Sequence, residues 1–148
     1  MSMYHLISKT ISIIIILSLF FDWIRGSSGI EYMIYLSNGA AASDLNLFVV
    51  FLVIFLSGTC NIYNIILGNK LLKINMLVLM VPVIFWFAYI FKIIIPEINH
   101  YGSLSFAREM GHVPLENGVL LSCLFSIVVF LVALFIFLKN RNKLIETN

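Results

Sequence analysis

Apolar residues along this chain gather into four long stretches, each bounded by charge or by turn-forming residues. They run over about Met3–Ile24, Leu45–Leu67, Ile74–Ile95 and Gly118–Leu138. An α-helix needs roughly 20 apolar residues to cross a hydrocarbon layer, so the pattern predicts four spans. Two polar segments of some length separate them, 25–44 and 96–117. In the first, Ser28–Gly29–Ile30–Glu31 has the spacing of a capping box, and Asn38–Gly39 supplies a helix stop. Ile30, Met33, Ile34 and Tyr35 fall on one face between them, which predicts a short helix lying on the membrane surface. The second segment lies between Pro96 and Pro114, with one or two helical turns expected over Ser103–Met110, ending at Gly111. The expected fold is an all-α integral membrane protein: a single domain, a four-transmembrane-helix bundle with two short exported loops carrying small helices.

Composition supports this, since 61% of the residues are hydrophobic and the mean hydropathy is +1.06. Little is left over for a soluble domain. Charge adds orientation. Lys9, Lys70, Lys73, Lys139, Arg141 and Lys143 fall on one side of the four spans, whereas Arg25, Lys92, Arg108 and most carboxylates fall on the other. Basic residues in short loops mark the cytoplasmic side. Both termini are therefore expected in the cytoplasm, in a multi-pass inner-membrane protein. The net charge of +2 reflects that basic face and implies no nucleic-acid partner. Asp22, Trp23, Arg25 and Glu31 separate the first apolar run from Ala40–Ala41–Ala42, too far for signal-peptide cleavage, so the first span is expected to be retained. Cys60 and Cys123 would lie at depths of roughly 23 Å and 8 Å, out of disulfide reach, and read as small packing residues.

Polar side chains inside a membrane mark either packing or function. Ser57, Asn61, Asn64 and Gly68 share a narrow arc of the second span, and Asn75 stands near Asn64 across the short turn. Hydrogen bonds between helices account for this stripe; a small inward-opening polar cavity is the functional alternative. Gly118, Ser122 and Ser126 form a small-xxx-small row on the fourth span, with Ala133 on the same face. Such a row seats the helix against its own bundle or against a second copy in a homo-oligomer. Pro82 is expected to kink the third span, whose outer half is aromatic through Phe85, Trp86, Phe87, Tyr89 and Phe91. On the exported side, Trp23, Glu31, Tyr32, Tyr35, His100, Arg108 and His112 are the recognition candidates, with Trp23 as an interfacial anchor. His100 and His112 are separated by a glycine and match no compact metal-ligand spacing, so no metal is expected.

Several chemistries lack their residues. No carboxylate lies deep in a span for proton coupling and no histidine lies there for haem. No Cys-x-x-Cys, phosphate loop or nucleophile elbow occurs. Neither an enzymatic activity nor a cofactor is expected. The first-span glutamate of small multidrug transporters, the Gly-rich signature of fluoride channels and the paired loop cysteines of claudins are all missing.

In plan, the chain resembles the small four-span proteins of bacterial conflict systems, namely colicin-type immunity proteins and antiphage membrane subunits such as that of Kiwa. The likeness covers the whole architecture and carries no motif, so it transfers no residue role. It implies a membrane protein that senses or binds a partner, either a toxin or a cytosolic effector. The alternative is a small channel or transporter subunit, or a structural accessory of a larger membrane complex.

Overall fold

The computed structural model describes residues 3–24, 26–39, 45–67, 72–109 and 116–146. Arg25, Ala40–Ala42, Asp44, Gly68, Lys70, Gly111, His112 and Pro114 lie outside the described residues. So do the side chains of Arg108, Arg141 and Lys143. The chain forms α1 (Met3–Ser18), a two-stranded ribbon of β1 (Asp22–Ile24) and β2 (Ser27–Ser28), then α2 (Gly29–Ser37) and α3 (Leu45–Leu67). α4 (Leu72–Tyr89), a π-helical turn (Ile90–Ile94), α5 (Ile95–Tyr101), α6 (Leu104–Glu109) and α7 (Asn117–Glu146) follow. α1 packs between α3 and α7, and α4 does the same on the opposite side, closing a four-helix ring.

Among the described residues three helical runs are long and apolar enough to cross a membrane: Leu45–Leu67, Lys73–Tyr101 and Asn117–Asn140. α1 is shorter than expected. Its 16 residues rise about 24 Å, and it ends at Ser18 instead of Ile24. The cause is local. Ser18 turns its hydroxyl back onto the Ile15 carbonyl at 2.6 Å, while its own carbonyl accepts the Trp23 indole N–H at 2.8 Å. For Trp23 to reach back, Leu19–Phe21 must form tight turns. β1 then pairs antiparallel with β2 across Gly26, at φ 78°. Side-chain competition for backbone groups thus wins over continued helix. The ribbon is the only β structure among the described residues.

The second departure is at Pro96, expected to open a loop. The helix that starts at Leu72 instead runs on to Tyr101. A proline has no N–H to give and clashes with the preceding turn. The π-helical turn just before it lets Ile95 N–H reach Ile90 O, and Pro96 then falls in the first turn of α5, where no N–H is required. α5 ends at Gly102, whose φ of 75° is the left-handed cap and whose N–H bonds Ile98 O at 2.8 Å. Ser103 then caps α6, accepting from Phe106 N–H at 3.2 Å, and the expected helix over Ser103–Met110 occupies Leu104–Glu109.

Polarity is distributed in reverse of a soluble bundle. Outward faces carry Leu17, Phe20, Ile66, Leu77, Phe87, Phe91, Leu124 and Leu131, all largely exposed. Inward faces carry Ser8, Ser12, Ser18, Ser57, Asn61, Asn64, Asn75, Ser122 and Ser126, all buried. Two apolar clusters fill the rest of the interior, one around Trp23, Leu36, Ile54 and Trp86 at the ribbon end, the other around Ile15, Leu79 and Val129. Cys60 and Cys123 are free thiols.

The capping box expected at Ser28 and Glu31 is present. Ser28 N–H donates to the Glu31 carboxylate at 2.9 Å, and Glu31 N–H donates to the Ser28 hydroxyl at 3.3 Å. The Ser28 backbone N–H, and after it the Ser28 hydroxyl, hold the Glu31 carboxyl below the ordinary glutamate pKa. A pKa lowered in the folded state means that this cap stabilises α2 at neutral pH and loses its contribution as pH falls through the folded value. Acidification is therefore expected to lower the protection of the first-turn amides of α2 against exchange, measured relative to their intrinsic rates at each pH. Glu31→Gln should keep the bond geometry and abolish that pH dependence. Equal pH profiles for the two proteins would contradict this.

Candidate functional site

Two polar or aromatic constellations stand out, one at each end of the bundle. The first lies at the end bearing Lys9, Lys73 and Lys139, called here the basic end. α1 presents Ser8 and Ser12 one turn apart, α3 presents Asn64 and α4 presents Asn75. The Asn64 amide donates to Ser12 Oγ at 2.8 Å and to Ser8 Oγ at 3.1 Å, and its Oδ1 accepts from Asn75 Nδ2 at 2.9 Å. One asparagine thereby ties three helices together. The sequence placed Asn64 next to Asn75. It missed Ser8 and Ser12, although their i, i+4 spacing on one face of the first span was the available signal.

The rest of the stripe behaves differently. Asn61 donates to the Ser57 carbonyl of its own helix at 2.7 Å, so it does not link helices through that amide. Ser126 Oγ likewise donates to the Ser122 carbonyl at 2.6 Å. Ser57 Oγ, Asn61 Oδ1, Asn75 Oδ1 and Ser122 Oγ have no hydrogen-bond partner among the described residues. All four residues are at most 5% exposed, so the stripe lies inside the bundle with no opening at these side chains.

The second constellation is at the ribbon end. Trp23 is 2% exposed and wedged into the bundle, which corrects its expected place as an interfacial anchor and removes it from the recognition surface. Its ring lies 5.7 Å from that of Trp86, which in turn meets Tyr89 edge-on at 5.6 Å. The aromatic run on the third span is thus divided, with Trp86 and Tyr89 buried and Phe87 and Phe91 facing outward. Gly118 lies directly under the indole. A β-carbon there would overlap the Trp23 ring and stand 2.8 Å from the Ser18 carbonyl. A β-carbon on Gly29 would stand 3.1 Å from the same ring. Gly118, Ser122 and Ser126 are therefore committed to packing inside one chain, and a second copy could reach them only by opening the bundle.

Above the wedge sits α2. Its start is tied to the turn that follows α1 by Ile30 N–H donating to Leu19 O at 3.1 Å, and its own Leu36 is fully buried. Glu31 is exposed within the capping box. Tyr35 is exposed and stacks on the half-buried Tyr32, ring centroids 6.0 Å apart. His100 is exposed on α5 and packs edge-on against Tyr101, which also meets Phe106 of α6. No three His, Cys, Asp or Glu residues converge among the described residues. The chain matches no protein-family model, no curated protein and no solved structure.

Proposed function

We propose that this chain is a four-span inner-membrane protein, with both termini cytoplasmic, that binds a protein partner through its ribbon end and catalyses no reaction. The observation that carries this is the reversed polarity of the bundle. Large apolar side chains on the outward faces would be costly in water and suit lipid, while the inward Ser and Asn side chains are those that bond helices in a bilayer. α1 completes the fourth crossing with Leu19–Phe21, since a short span is accommodated by local thinning and by Lys9 reaching toward headgroups. The basic end then lies in the cytoplasm. On the opposite side, the Trp23 wedge and capping box hold α2 rigidly, so that Tyr35, 64% exposed, and Ile34, 54% exposed, project from a fixed platform. Preorganised aromatic and aliphatic anchors of this kind are what protein interfaces use.

The likeness in plan to conflict-system membrane proteins makes bacterial defence the setting, as immunity against a membrane-active toxin or as an antiphage subunit working with a cytosolic effector. The test is protection of an expressing host. Ile34→Ser with Tyr35→Ser should leave the amount of folded membrane protein unchanged and abolish protection against toxin or phage. Protection retained by that double variant contradicts the proposed surface. The unpartnered Ser57, Asn61, Asn75 and Ser122 atoms favour a second reading, a small channel or transporter subunit. Purified protein in liposomes that carries an ion or small solute, with flux lost on Asn61→Leu, would replace partner binding by that reading.

A further inference from the structure

On the outside of the bundle at the basic end, α1 and α7 leave an apolar groove of about 290 Å³, lined by Tyr4, Val128, Leu131, Val132 and Phe135. Phe135 packs against Tyr4 with ring centroids 5.2 Å apart, closing one end. One helical turn further along α7, Lys139 places its Nζ 5.5 Å from the centroid of the same Tyr4 ring. The groove therefore runs along the helices as a strip without charge and ends at a cation held in place by an aromatic face. The stretch from Val128 to Phe135 spans about 10 Å of helix, a length suited to an extended hydrocarbon chain lying parallel to α7. Arg141 and Lys143 follow Lys139 in the sequence.

We propose that this groove holds one acyl chain of an anionic phospholipid, with the phosphate-bearing headgroup against Lys139. Charge selects the occupant. A zwitterionic lipid would bring its own cation to the lysine, and an anionic headgroup would not. A helix of a second copy would need a face carrying a carboxylate opposite Lys139. Apart from Glu146, every Asp and Glu falls within 22–44 or 97–116, the segments on the other side of the spans from Lys139 in the four-span reading. The inference rests on the membrane reading above, but the two fail separately, because insertion is read from topology and lipid choice from the purified protein.

The experiment uses the full chain in mild detergent, titrated with phosphatidylglycerol and with phosphatidylcholine of identical acyl chains and read by native mass spectrometry. One phosphatidylglycerol should be retained per chain, with about fivefold preference over phosphatidylcholine, the value of one favourable lysine near a membrane surface. Lys139→Gln should bring the two lipids to parity. Leu131→Trp, which fills the groove from a half-exposed position, should lower retention of both lipids. Leu77→Trp, on the exposed face of α4, should leave retention as in the wild type. Unchanged thermal melting in all three variants shows that folding is not the cause, and Leu131→Ala repeats the groove test should Leu131→Trp fail to fold. Equal retention of both lipids by the wild type, an unaltered preference in Lys139→Gln, or a stable protein dimer in place of bound lipid overturns the proposal.

Discussion

Gly118→Ile is expected to be the most destabilising single substitution in the bundle. The first added carbon overlaps the Trp23 ring and crowds the Ser18 carbonyl, so the indole must leave its site. Its departure breaks the Trp23 bond to Ser18 and opens the contact with Trp86. Overpacking costs about 1–3 kcal/mol, and a buried hydrogen bond adds about 1. The total of about 3 kcal/mol or more is a large share of an ordinary domain's stability. Thermal melting in detergent and a red shift of tryptophan emission read it. The geometry also predicts coupling: Gly118→Ala should cost much less in a Trp23→Leu background than in the wild type, because the clashing ring is gone. Additive effects of the two substitutions would contradict the wedge.

Asn64→Leu has the second-largest expected effect. It removes three hydrogen bonds at once and leaves Ser8, Ser12 and Asn75 buried without those partners. Hydrogen bonds between membrane helices average about 0.6 kcal/mol, whereas each stranded polar group costs about 1–3 kcal/mol. A loss of about 2–4 kcal/mol follows. Replacing the whole knot with apolar residues, Ser8→Ala and Ser12→Ala with Asn64→Leu and Asn75→Leu, should recover more than half of it, since removing both partners strands nothing. A neutral Asn64→Leu, or a quadruple variant less stable than the single one, would show that the knot does not hold the helices together.

What could be read from residues alone followed from local physics. The apolar runs over Leu45–Leu67 and Gly118–Leu138 coincide with helices because their length and composition leave no competing backbone arrangement. The Ser28–Glu31 box was legible because both partners lie within one turn. The early end of α1 was not, since it depends on Trp23 folding back to Ser18, a contact whose gain exceeds the helical preference of an apolar stretch. Nor was the helix through Pro96, which depends on the π-helical turn over Ile90–Ile94. At the basic end, Asn64 and Asn75 were visible as neighbours across a short turn, whereas Ser8 and Ser12 are more than fifty residues away and join them only when α1 packs on α3. The Gly118 row was recognisable as a close-packing face. Which surface it packs against is decided by one indole.

The central claim is four crossings with the basic end in the cytoplasm, and compartment-sensitive reporters fused along the chain test it most directly. Fusions after Lys70 and after Asn148 should be active as cytoplasmic reporters. Fusions near Asn38 and near Ser105 should be active only as exported ones. A reporter at the N-terminus should be cytoplasmic as well. An exported N-terminus together with a cytoplasmic Lys70, the pattern of three crossings with α1 outside the bilayer, would contradict the account, as would an exported C-terminus.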